Sequence, residues 1–148
     1  MRPPASSRQL AWKYPAALQN IDTVCSKAAA LLEQCSLQKK DRFAIELLLR
    51  EALNNAVIHG CHQNPHLFFS GSLIISDHQA VIEVSDEGLG FEWRSESRSL
   101  HPDGDETGRG LQIYANYASS IKFNDAGNCV TLTLSLNAQQ TSQGEYDD

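Results

Sequence analysis

The 148-residue chain is short of several features, and each absence closes a class of function. Its four cysteines, Cys25, Cys35, Cys61 and Cys129, form no CxxC pair and no dense framework. That excludes a disulfide-built scaffold and points to reduced thiols. No apolar run is long enough to cross a bilayer, and "MRPPASSRQLAWKYP" lacks the apolar core of a signal peptide. A soluble cytoplasmic protein with no membrane partner is therefore expected. No basic cluster offsets the net charge of -6, which argues against phosphate-driven binding to nucleic acid. There is also no GxxxxGK[ST] and no GxGxxG, so neither a P-loop nor a dinucleotide fold is supported.

The 41% hydrophobic content and the length suit one domain with a full core. Residues 1–8 are Pro- and Ser-rich and expected to be loose. The folded domain spans 9–137, and the acidic tail 138–148 is expected to be disordered. "QLAWKYP" reads as an edge strand ended by Pro15. Leu18, Ile21, Val24, Cys25, Ala28, Leu31, Leu32 and Cys35 have helical spacing. A second helix runs from about Lys39 to His59 and stops at Gly60. "GSLIIS" and "AVIEVS" form an antiparallel hairpin. Ser95 to Thr107 reads as a mobile loop, "GRGLQIYANYA" as a helix opening on glycines, and "SIKFND" and "NCVTLTLSL" as two more strands. The order β-α-α-β-β-loop-α-β-β predicts a two-layer α+β sandwich, with helices on one face of a largely antiparallel, mixed sheet.

The second helix contains an anomaly. At about 100° per residue, Leu47, Ile58, Glu51, Ala44, Asn55 and Leu48 share one sector. Glu46, Arg50 and Asn54 take the opposite, solvated one. Glu51 and Asn55 thus sit within the apolar wall, where an unpaired amide costs about 1–3 kcal/mol and a bare charge more. Either the wheel overstates burial and Glu51 escapes to solvent or bonds a loop amide, or the wall lines a pocket. In a pocket, Glu51 could serve as a base, and the amide oxygen of Asn55 could meet a hard cation such as magnesium.

Two glycine segments bear on this choice. "DEGLGF" places Asp86 just beyond a strand, with Gly88 and Gly90 letting the backbone approach a ligand. A carboxylate there can accept from an exocyclic amine, although Asp-x-Gly is also a common turn. "TGRGL", Thr107 to Leu111, starts a helix whose free N–H groups make a seat for phosphate. Two glycines before a helix can equally just end a loop. His59, Cys61, His62 and His66 lack the spacing of a closed tetrahedral zinc site, and a polar loop with surface histidines is expected.

Taken in order, an E-x-x-x-N-A helix, a strand-terminal D-E-G-x-G, a loop and a G-x-G-L helix start resemble the GHKL (Bergerat-fold, HATPase) ATPase superfamily. The resemblance covers about Leu10 to Leu136. Within it, "REALNNAVIHG" and "DEGLGF" look most like the bacterial anti-sigma factor serine/threonine kinases, which often read "SEAxxNAxxHG". Sensor histidine kinases usually have Lys where Ile58 stands, and they need a phosphoacceptor hairpin for which this chain has no room.

The resemblance implies roles residue by residue. Asn55 would bind the magnesium that bridges the ATP phosphates, and Glu51 would be the general base for the attacking hydroxyl. Asp86 would accept from the adenine amino group, with Gly88 and Gly90 shaping that edge. Thr107, Gly108, Arg109 and Gly110 would meet the phosphates, Leu111 would pack beneath them, and Ser95 to Thr107 would be the lid. The implied partners are a STAS-type anti-anti-sigma protein as substrate and a sigma factor, and dimerisation is expected from the family. One departure stands out: the usual Gly-Thr-Thr is "GNCV" here, so Asn128 or Cys129 must replace a threonine that supports the adenine-binding Asp, or a water is held differently. The competing reading is a nucleotide-dependent binding module that sequesters a partner and transfers no phosphate.

Overall fold

The computed structural model describes residues 7–90 and 106–136, with backbone only at 106–110. Strand β1 (Arg8–Pro15) leads into helix α1 (Leu18–Glu33) and helix α2 (Lys39–Asn54), which continues as a π-helical turn, Asn55–Gly60. The hairpin β2 (Phe68–Ile75) and β3 (Gln79–Asp86) follows. Helix α3 (Glu106–Tyr117), β4 (Ser120–Phe123) and β5 (Cys129–Ser135) complete the fold. The expected element order is therefore the observed one. The lid assigned to Ser95–Thr107 lies outside the described residues except for Glu106 and Thr107, which open α3. So do the calls on residues 1–6 and on the tail from 137.

The sheet order is β1-β2-β3-β5-β4, and all four pairings are antiparallel. Alternation sorts its two faces. Trp12, Phe69, Leu73, Ile75, Ala80, Ile82, Val84, Val130, Leu132 and Leu134 are buried under the helices. Ser70, Ser72, Glu83, Ser85, Thr131 and Thr133 alternate with them on the far face. β1 forms one edge, as its Pro15 end requires.

Helix α2 crosses the middle of the sheet and packs on β3 and β5, with α1 and α3 on its flanks. Its buried residues are Ala44, Ile45, Leu48, Leu49, Ala52 and Leu53, together with Asp41. Each fully buried leucine contributes about 1.5–3 kcal/mol. Glu51, Asn55, Leu47 and Ile58 are only half-buried. This corrects the helical-wheel expectation: Glu51 and Asn55 stand at the margin of the apolar face and not within it. A margin position reaches a cavity without burying a bare charge, so the fold avoids the cost that made the pair anomalous.

A second correction concerns the end of α2. The α-helical ladder ends at Asn54, and the Cys61 N–H reaches back five residues to the Ala56 carbonyl at 2.8 Å. The extra residue in this turn shifts everything after Asn55 around the axis, as π-turns at functional sites commonly do. It carries Gly60 onto the end of β3 and buries Cys61, while His62 and His66 stay exposed.

Candidate active site

A cavity opens between the end of α2, the start of α3 and the ends of β3 and β5. Asn55, Gly60, Asp86, Gly90, Leu111, Tyr114, Phe123 and Asn128 are among its lining residues. Of the residues singled out in the sequence, Asn55, Asp86, Gly90 and Leu111 meet here. Gly88 stands behind the lining, against the Gly60 carbonyl. Glu51 lies one turn before Asn55, outside the lining, yet near enough to the Tyr114 hydroxyl for its charge to raise that group's pKa.

The end nearest the sheet is built by close backbone approach. Asp86 is the last residue of β3, on the same face as Val84 and Ile82, so its carboxyl points toward the helices. One carboxylate oxygen accepts from the Gly88 N–H at 2.8 Å, and the Asp86 N–H donates to the Asn128 carbonyl at 2.9 Å. A side chain at Gly60 would put its Cβ 2.6 Å from the Asp86 carboxyl, and one at Gly88 would collide with the Gly60 backbone. Gly90 has φ +89° and would otherwise collide with the Ala126 carbonyl. These contacts shield Asp86 from water. Burial pushes its pKa up to about 6, against the lowering effect of the Gly88 N–H.

The replacement for the missing threonine can be read directly. Cys129 pairs with Ser85, and its thiol is 3.7 Å from the Glu83 carboxylate on the far face, although the residue also borders the cavity. Asn128 takes the supporting role indirectly: its Nδ2 donates to the Gly88 carbonyl at 3.2 Å. Asn124 in turn donates to Asn128 Oδ1 at 2.6 Å and accepts from the Gly127 and Asn128 N–H groups at 2.8 and 3.0 Å. An asparagine-built turn therefore holds the backbone around Asp86.

At the other end the Asn55 Nδ2 donates to the Tyr114 hydroxyl at 2.8 Å, and among the described residues no hydrogen bond to the amide oxygen is found. Tyr114 is 1% exposed, and burial raises its pKa. Sequence reasoning missed Tyr114. Its only local signal is a helical position three residues after Leu111, which equally marks a core residue. Thr107, Gly108, Arg109 and Gly110 lie in the first turns of α3, as expected for a helix opening on glycines. The free N–H groups are thus those of its first turn, and the side chains of 106–110 lie outside the described residues.

The residues present fit a purine nucleotide with a bound cation. Asp86 supplies a shielded acceptor, and Asn55 an amide oxygen with no hydrogen bond among the described residues. Among the described residues no group of three or more His, Cys, Asp or Glu is placed to hold a metal by itself. No described helix is long and apolar enough to cross a membrane.

Comparison with known proteins agrees with this geometry. A family model described as a histidine kinase-like ATPase domain matches residues 14–134. The anti-sigma F factor of Oceanobacillus iheyensis is 27% identical over 120 residues, which cover 76% of this chain and 82% of that protein. That of Geobacillus stearothermophilus is 30% identical over 97 residues, covering 63% and 66%. That of Bacillus subtilis is 25% identical over 131 residues, covering 84% and 90%. With its α+β sandwich, its Asn55 and Asp86 in one cavity and a match across most of its length, the chain belongs to the histidine kinase-like, GHKL-type ATPase family.

Proposed function

We propose that this protein is an ATP- and magnesium-dependent serine kinase of a bacterial partner-switching system. It phosphorylates a STAS-type anti-anti-sigma protein and, in its other state, holds a sigma factor. The observation that carries the reading is one cavity lined both by an Asn55 amide whose nitrogen is tied to Tyr114 and by a shielded Asp86 carboxylate. The names of its relatives, anti-sigma F factors, support the choice of partners.

In this reading Asp86 accepts from the exocyclic amine of adenine, and Gly60, Gly88 and Gly90 let the backbone close around the base. Asn55 offers its amide oxygen to magnesium, which supplies charge neutralisation on the phosphates. The first turn of α3, Thr107 to Gly110, presents N–H groups to the phosphate oxygens, and Leu111 packs beneath. Glu51 takes the proton of the partner's serine hydroxyl.

The position of Glu51 outside the cavity lining favours a second reading, a binding module that holds its partner without phosphoryl transfer. Incubation with labelled ATP and a STAS-type candidate protein, followed by phosphosite mapping, separates the two. The kinase reading expects a phosphoserine on the partner. It also expects Glu51→Ala to keep nucleotide affinity while transfer slows by about 10²–10⁴-fold. An unmodified partner, or a Glu51→Ala variant with normal transfer, would leave the binding module or remove the general-base role.

A further inference from the structure

A buried phenol needs a reason. The ring of Tyr114 fills core space that a Phe or Leu could fill without a polar atom, and it is 1% exposed. Burying a hydroxyl without a partner is costly. Its partner is a side chain 59 residues away, at the junction where the α-helical part of α2 gives way to the π-helical turn.

That junction is a poor place to hold an amide. Asn55 is half-buried beside a widened turn, and its amide can present either oxygen or nitrogen to the cavity. The two orientations are chemically opposite toward a cation. A tyrosine hydroxyl alone does not choose between them, because it both donates and accepts. The observed geometry does: the Asn55 Nδ2, one helical turn after Glu51, faces the buried hydroxyl. The amide donates through Nδ2 at 2.8 Å, and among the described residues its oxygen is left over.

We propose that Tyr114 is a positioning residue that locks the Asn55 amide with its oxygen free to meet magnesium, a role that rests on the nucleotide reading of this cavity. Tyr114 lines the cavity, and its hydroxyl is engaged by Asn55. It acts through Asn55.

The test is a magnesium titration of nucleotide binding, followed with a fluorescent ADP analogue and run in parallel in EDTA. Tyr114→Phe should raise the magnesium concentration needed for half-maximal enhancement by about fivefold, the worth of one hydrogen bond. Its affinity in EDTA should change by less than its affinity in magnesium, whereas a merely structural defect would lower both equally. In an Asn55→Ala background the same substitution should add nothing. A magnesium-dependent wild type with an unshifted Tyr114→Phe variant would overturn the proposal alone. A wild type whose nucleotide affinity ignores magnesium would overturn the reading of the cavity as well. The wild-type protein provides a second readout that does not depend on how well Tyr114→Phe folds. The side-chain NH₂ of Asn55 should exchange with solvent more slowly than that of exposed Asn64, and equal rates would contradict the lock.

Discussion

The two ends of the cavity are made in different ways. Around Asp86 the work is done by backbone: Gly60, Gly88 and Gly90 bring three chain segments closer than any Cβ permits, and the Gly88 N–H sets the carboxylate. Around Asn55 it is done by side chains, with one amide tied to one buried phenol from another helix. A backbone-built end is rigid and intolerant of added atoms. A side-chain-built end can lose one hydroxyl and keep its shape. The first end should therefore fail abruptly on substitution, and the second by degrees.

The largest effect is expected at Gly88. Its Cβ would run into the Gly60 carbonyl, which is backbone and cannot step aside. Gly88→Ala should destabilise the fold by about 1–3 kcal/mol through overpacking and displace Asp86. Thermal unfolding and nucleotide titration would both register it. A variant with unchanged melting and affinity would show that the two segments are not in contact as described.

A smaller and graded effect comes from titrating Asp86. Its pKa in the fold, about 6, lies above the ordinary 3.8 because the carboxyl is shielded from water. The folded chain therefore takes up a proton that the unfolded chain does not take up between about pH 4 and 6, so this group favours the unliganded fold in acid. That contribution is lost as the pH rises through about 6. Nucleotide affinity should run the other way, falling as the pH drops through about 6 and the charged acceptor is neutralised. The Asp86→Asn variant should lose this pH dependence. A wild-type profile flat between pH 5 and 8 would mean that Asp86 is not the acceptor.

The same contrast explains what could be read from the sequence. Glycines beside a strand-terminal Asp advertise a close backbone approach, so the Asp86 end was legible, as were all five strands and three helices. Two features of α2 were not. A wheel at fixed angle placed Glu51 and Asn55 within the apolar wall, because burial was centred on Leu48, Ala52 and Ile45 by contacts that only the folded sheet defines. The π-helical turn at Asn55–Gly60 depends on Gly60 seating against Asp86, which no local propensity reveals. The Tyr114–Asn55 bond spans 59 residues and left no pattern to find. The role of Cys129 was within reach. With Val130, Leu132 and Leu134 facing the core, period-two alternation puts Cys129 on the other face.

The most direct test is calorimetric titration of the wild type, Asp86→Asn and Asn55→Ala with ADP, each with and without magnesium. The two-ended site predicts that Asp86→Asn loses affinity in both conditions, while Asn55→Ala matches the wild type in EDTA and loses only the increment that magnesium adds. Equal losses from both substitutions in EDTA, or no loss from either, would contradict it.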